Sequence, residues 1–323
     1  MRRGILLFIF YVIFKCVGAQ SEPQFTQYMF NKYLFNPAYA GSADGIDMSA
    51  LYRNQYVGLT TRPISTEGFN VNMPLAMASS GIGITAINDN IGYQRSTYVA
   101  LNYDYRKSFT WGKMGIGLGA GIVQSSLNGA ELTTPMGNYS SAVHDNNDPN
   151  LPNTLQSGIA PDLSFGIYFN NDKYFASASI NHIAFATAKI STPAGAVDLN
   201  FARNLFLMGG YDITISKKLS LMPSAIIKSD FTQVQVDAGG TFTIIDNILA
   251  GISFRGYNKN TIDALSLIFG FRYKGLQFVY SYDANLSYLT NFNSGSHELS
   301  VNYVIGLKKK ESKGYFYHNP RFD

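Results

Sequence analysis

The sequence predicts an all-β protein, a transmembrane outer-membrane barrel of about 14 antiparallel strands. Three observations predict it. Apolar and polar residues alternate through segments of about ten residues, the period of a two-faced strand. Only 14% of the residues are charged, where roughly a quarter is usual in a soluble domain. Short and long connections also alternate along the chain, as they do in outer-membrane barrels.

The chain begins with the three regions of a secretory signal peptide. Two arginines precede an apolar run over residues 4–14, and Ala19 ends a short stretch of small residues. This order predicts a signal peptide over residues 1–19, removed after Ala19. Lys15 argues against a lipoprotein site at Cys16, the single cysteine. The mature chain then has no cysteine, and we expect neither a disulfide nor a thiolate-bound zinc.

The barrel is predicted over residues 46–307. In its last segment Leu299, Val301 and Tyr303 share one face, while Ser300 and Asn302 share the other. About fourteen segments repeat this alternation, an even number as expected of a closed single-chain barrel. Their centres are near Ala50, Phe69, Ile84, Leu101, Leu118, Phe165, Ala178, Leu207, Ala225, Ala238, Ile252, Leu267, Tyr280 and Tyr303.

The connections give an independent test of this prediction. If the first strand runs outward, the tight connections 170–173, 216–218, 246–247 and 274–275 all fall at the periplasmic end. The three long ones, 125–161, 183–200 and 284–296, all fall at the external end. Such sorting is typical of outer-membrane barrels. A soluble β-sandwich also alternates, with the apolar face inward, but the strand length and the tyrosines near segment ends favour a membrane.

With lipid outside, the polar faces enclose a lumen that carries charge. Opposite charges there are expected to pair, because an isolated buried charge is costly. Four glycines at 115, 117, 119 and 121 face one way. They indicate either the close approach of a plug or inserted loop, or local curvature of the wall. The predicted polar network of the lumen is Asp47, Arg53, Asp104, Asp237, Arg272, Asp283 and Glu298.

Catalytic and nucleic-acid functions find no support in the sequence. The net charge of +4 is small and the basic residues are dispersed, so no nucleic-acid footprint is present. His182 and His297 have no nucleophile and carboxylate arranged beside them, and no nucleophile elbow or zinc-protease motif occurs. We therefore expect a non-enzymatic protein without a metal or cofactor.

Two aromatic segments flank the predicted barrel. Residues 20–45 are expected to form a periplasmic N-terminal segment, a plug or docking element, because Pro37 and Gly41 favour irregular backbone that cannot face lipid. Residues 308–323 are expected to form a periplasmic tail. The alternative for the first segment is a strand leader that caps the barrel. The candidate partner-binding residues are Tyr28, Phe30, Tyr33, Phe35, Asn36, Pro37, Tyr39, Tyr315, Phe316, Tyr317 and Arg321.

Several motifs carry a resemblance to a known family. The stretches QFTQYMFN at 24–31, NPAYAGS at 36–42 and YRNQ at 52–55, with further matches as far as SHEL at 296–299, resemble the PorP/SprF family of type IX secretion. The resemblance implies an outer-membrane barrel that helps to export or anchor adhesins bearing a C-terminal sorting domain. It also implies contact with periplasmic ring lipoproteins and, in some members, a link to gliding motility. The alternative is a passive porin or small-molecule transporter.

Overall fold

A computed structural model describes residues 22–75, 79–140, 143–257 and 261–307. Within them the chain forms a closed barrel of 14 antiparallel strands, as the sequence predicted. The strands are β1 (Gly45–Gln55), β2 (Ile64–Leu75), β3 (Ser80–Ile91), β4 (Gln94–Phe109), β5 (Gly112–Asn128), β6 (Leu155–Asn170), β7 (Tyr174–Asn181), β8 (Asn204–Tyr211, continued by Ile213–Ser216), β9 (Leu219–Ser229), β10 (Val234–Ile244), β11 (Ile248–Tyr257), β12 (Thr261–Tyr273), β13 (Leu276–Asn285) and β14 (Ser296–Gly306). All fourteen predicted centres lie inside these strands. No helix of the described residues is long and apolar enough to cross a membrane.

Each strand pairs with its neighbour in sequence, and the barrel closes where β1 meets β14. This seam runs from the pair Gly45 and Gly306 at one end to the pair Asn54 and His297 at the other. Each strand of the wall therefore has a neighbour on both sides, and the sheet has no open edge strand facing lipid.

The wall has an apolar outside and a polar inside. On β4, Leu101 is 60% exposed while its neighbour Asn102 is 5% exposed. The same alternation holds on β10, where Val236 faces out and Asp237 is buried. An apolar face on the outside suits lipid, so the predicted direction of the two faces is confirmed and the sandwich alternative is excluded.

The two ends of the barrel differ in their connections. Tight turns at 110–111, 171–173, 217–218 and 274–275 lie at one end, and the long connections 129–154, 182–203 and 286–295 lie at the other. The short-turn end is periplasmic by the usual rule. Around it an aromatic ladder crosses several strands: Trp111 stacks on Phe109 and Phe169 at 5.1 and 4.8 Å, and Tyr174 stacks on Tyr211 at 6.4 Å. Such girdles mark the membrane–water interface.

The lumen is filled from both ends. Residues 22–44, which we call the plug, run through it from Glu22 near the external end to the start of β1 at the periplasmic end, with two 3-10 turns at Lys32–Leu34 and Pro37–Tyr39. From the external side, the hairpin formed by Thr187–Thr192 and Gly195–Asn200 lies against the inner face of β5 and β6. Its Ala188 and Ile190 are buried, and Lys189 contacts Gly158 of the wall.

Of the two roles expected for residues 20–45, a plug or a periplasmic docking element, residues 22–44 take the position of a plug inside the lumen. The physical reason is that irregular backbone needs hydrogen-bond partners, and the polar inner wall provides them. The signal peptide and the tail over 308–323, with Tyr315, Phe316, Tyr317 and Arg321, lie outside the described residues and stay predictions.

Candidate functional site

A cluster of buried charges binds the plug in the middle of the lumen. Its members belong to six different strands, and four of them contact one residue of the plug, Thr26. The charged cluster consists of Arg53, Lys228, Asp237, Arg255, Asp283 and Glu298.

The carboxylate of Glu298 accepts the backbone N–H groups of Thr26 and Gln27, at 2.7 and 2.9 Å. Arg53 donates to that carboxylate at 3.0 Å and to Asp283 at 2.7 Å. The Thr26 hydroxyl donates to Asp283 at 2.8 Å and accepts from Arg53 at 3.0 Å. Because both partners of each pair are nearly fully buried, these hydrogen bonds to charged groups fix the plug firmly.

Two members of the cluster were missing from the sequence-based network. Arg255 donates to the Thr26 hydroxyl at 2.9 Å and to Asp283 at 3.2 Å. Lys228 lies 3.2 Å from Asp237. The alternation in β11, where Phe254 is exposed and Arg255 buried, is the signal that identifies such inward residues.

The remaining predicted lumen residues lie apart from this cluster. Asp104 pairs with Arg106 at 2.7 Å, and Arg106 donates to the backbone oxygen of Ala40 at 2.7 Å, which holds the end of the plug. Asp47 and Arg272 line a cavity at the periplasmic mouth. The predicted network is therefore three separate groups: Arg53, Asp237, Asp283 and Glu298 form the first, Asp104 the second, and the pair at the mouth the third.

Amide and aromatic side chains of the plug bind the wall along its length. The Tyr28 hydroxyl donates to the Ser224 backbone oxygen at 2.9 Å, and the Tyr33 hydroxyl accepts from Asn102 at 2.8 Å. The Asn36 side chain donates to Ser177 at 2.7 Å while its oxygen caps the second 3-10 turn through the Ala38 N–H at 2.8 Å. Tyr28, Tyr33, Phe35 and Asn36 are thus covered by the barrel.

The predicted partner-binding residues of the plug fall into two groups: some pack against the wall, and others are partly exposed. Phe35 meets Phe206 of the wall edge-on at 5.4 Å, and Tyr39 meets Tyr168 at 5.2 Å. Pro37 is buried. Phe30 and Tyr39 remain partly exposed towards the periplasmic cavity. Partner binding stays a prediction, and these two residues are accessible to a partner.

Two of the four glycines on the inner face of β5, Gly115 and Gly117, lie against the plug. A Cβ on Gly117 would lie 2.3 Å from the Ala38 nitrogen and 2.6 Å from the Pro37 carbonyl carbon, and one on Gly115 would lie 2.8 Å from the Ala38 oxygen. At Gly119 a Cβ would meet side chains of the wall, Ser164 and Asn102, instead. The close approach of a plug therefore explains Gly115 and Gly117, while Gly119 faces side chains of the wall; local curvature stays a prediction.

An ion-pair triad anchors the external end of the plug. His182, in the connection after β7, lies 3.0 Å from Glu22 of the plug and 3.0 Å from Asp162 of β6. Burial opposes a charge on this ring, but the two carboxylates raise the pKa of His182 to about 10. The imidazolium is therefore charged at neutral pH and links the plug to the loop that carries the inserted hairpin.

The sequence of the chain matches the model of a known family. A family model described as type IX secretion system membrane protein PorP/SprF matches residues 17–303. The chain belongs to the PorP/SprF family. That match covers the plug and nearly the whole barrel, and with the fold it indicates the outer membrane. No curated protein sequence matches the chain.

Several solved structures are similar to this chain at low sequence identity. The toluene transporter TbuX of Ralstonia pickettii is 9% identical, with a TM-score of 0.50 over 85% of this chain and 92% of the transporter. The P. putida toluene transporter TodX is 9% identical, with a TM-score of 0.49 over 86% and 94%. A Pseudomonas aeruginosa FadL homologue is 12% identical, with a TM-score of 0.48 over 89% and 96%. At 9% identity the likeness to TbuX concerns the fold alone.

Proposed function

We propose that this PorP/SprF protein is a non-enzymatic outer-membrane subunit of type IX secretion that anchors exported adhesins and contacts periplasmic ring lipoproteins. The observation that carries the proposal is the filled lumen. Thr26, Gln27, Tyr28 and Met29 are buried in its centre, and the hairpin over 187–200 lies above them. A barrel closed in this way is suited to serve as a scaffold, since its interior is occupied by its own chain.

Conductance and copurification together test the proposal. We expect the intact protein to give no large steady current in a planar bilayer, and to copurify after gentle solubilisation with an adhesin that bears a C-terminal sorting domain. A chain lacking residues 24–39 should form the barrel but conduct, and it should lose the copurifying partner. A large steady current from the intact protein, without a bound adhesin, would instead favour a passive porin or small-molecule transporter.

A contribution to gliding motility belongs to the same proposal. In a gliding host, cells without this protein should spread more slowly and show less adhesin on their surface. Normal spreading with normal surface adhesin would restrict the protein to other cargo.

A further inference from the structure

A cavity of about 510 Å³ opens at the periplasmic end of the barrel, between the plug and the wall. We call it the vestibule. Its volume lies within the range of about 300–1,000 Å³ that ligand pockets usually have. The lining residues that matter here are Phe30, Lys32, Asp47, Arg272, Lys274 and Gln277.

Positive charge exceeds negative charge in the vestibule. Lys32, Arg272 and Lys274 supply three positive charges and Asp47 one negative charge, a surplus of two. The Lys32 ammonium lies 4.4 Å from the centroid of the Phe175 ring, and no ion pair joins it to a carboxylate within the part of the chain that is described. Burial and the nearby Arg272 guanidinium lower the pKa of Lys32 to about 8. An anion in the vestibule would relieve this repulsion.

We propose that the vestibule binds an acidic, extended peptide segment of a periplasmic protein, with one carboxylate facing Lys32 and Arg272. The wall separates the vestibule from lipid, so the ligand has to come from the periplasm rather than from a lipid headgroup. Side-chain amides beside the cations, such as that of Gln277, suit the peptide backbone, and Phe30 provides an apolar contact. This inference rests on the proposed function, because it names the chemistry of the periplasmic contact.

Peptide binding by the purified full-length protein tests the inference. The probe is a fluorescein-labelled peptide of alternating Glu and Ser, compared by anisotropy with its Gln counterpart. The variant Lys32→Gln with Arg272→Gln should bind the Glu peptide at least about tenfold more weakly, since it loses both charged donors to the carboxylate. A matched control, Lys217→Gln with Lys218→Gln, removes two charges from another periplasmic turn and should bind as the parent does.

Two results would overturn the inference: equal affinity for the Glu and Gln peptides, or an equal loss in the control variant. Lys274→Gln alone, at an exposed turn, should also weaken binding and leaves the plug untouched, so misfolding of the double variant does not decide the test. Inorganic phosphate as a competitor distinguishes a peptide site from a general anion site. At a general anion site, phosphate would displace the peptide fully at low concentration. That displacement, without a preference for the Glu peptide, also counts against the proposal.

The pH dependence provides a second readout. The charged groups that face Lys32 are Arg272 of β12 and Asp47 of β1. Because the free site loses the Lys32 proton near pH 8, affinity for the Glu peptide should fall between pH 7 and pH 9, and Lys32→Gln should remove this fall. Failure of the proposed function would appear differently, as a bilayer current or an absent adhesin, while peptide binding persisted.

Discussion

Replacing Arg53 by Gln should release the plug. Arg53 neutralises Glu298 at 3.0 Å and Asp283 at 2.7 Å, and Asp283 keeps a second cation, Arg255, at 3.2 Å. The charge left unpaired is therefore that of Glu298. Removing one partner of a buried ion pair costs about 3–5 kcal/mol, and we expect the lower end because two backbone N–H groups still bind this carboxylate.

The assay is maleimide labelling of a cysteine placed at Met29, which is 1% exposed. At about 3 kcal/mol the population of the released plug, and with it the labelling rate, should rise about 100-fold. Adding Glu298→Gln restores charge balance in the cluster, so the double variant should label within about tenfold of the parent. The reasoning fails if Arg53→Gln labels at the parental rate, or if the double variant labels as fast as the single one.

Two glycine substitutions give further predictions. Gly117→Ala places its Cβ against the backbone of Ala38, which cannot rotate away, so the plug should be destabilised by about 1–3 kcal/mol in the same labelling assay. Gly209→Ala, whose Cβ would meet only the Phe175 backbone oxygen at the ordinary distance of 3.5 Å, is the control and should change labelling little; equal effects would contradict the plug contact. Gly158→Ala places its Cβ 2.2 Å from the Lys189 oxygen and should displace the external hairpin, measured as faster proteolysis at that hairpin with an unchanged labelling rate at the plug. An unaltered hairpin would refute the contact.

The fold was predictable because lipid imposes one rule on every strand. An outward residue has to be apolar, so alternation reports strand positions even where no single residue is diagnostic. The rule weakens where the inner face is apolar too. On β9, Ile226 is fully buried inside and Ile227 is exposed outside. Both faces are therefore apolar there, and the alternation does not identify Lys228 as a lumen residue.

The path of the plug was not predictable from the sequence. Its hydrogen bonds join residues more than two hundred positions apart, such as Thr26 and Glu298, and no local pattern carries that information. The glycines of β5 and the amide-rich motif indicated a close approach and an irregular backbone. Only the three-dimensional arrangement shows that Asn36 and Tyr28 supply the polar contacts which that backbone needs.

The direction of the plug has a consequence for biogenesis. Glu22 lies near the external end, and the chain reaches the periplasmic end only at Gly45, where it enters the strand that seals the seam with β14. If the barrel closed first, the aromatic side chains of the plug would have to pass the buried ion pairs of the lumen. The sheet therefore has to close around the plug while the barrel forms. The wall thus encloses residues 22–44 as it closes, and the pairing of β1 with β14 traps them inside.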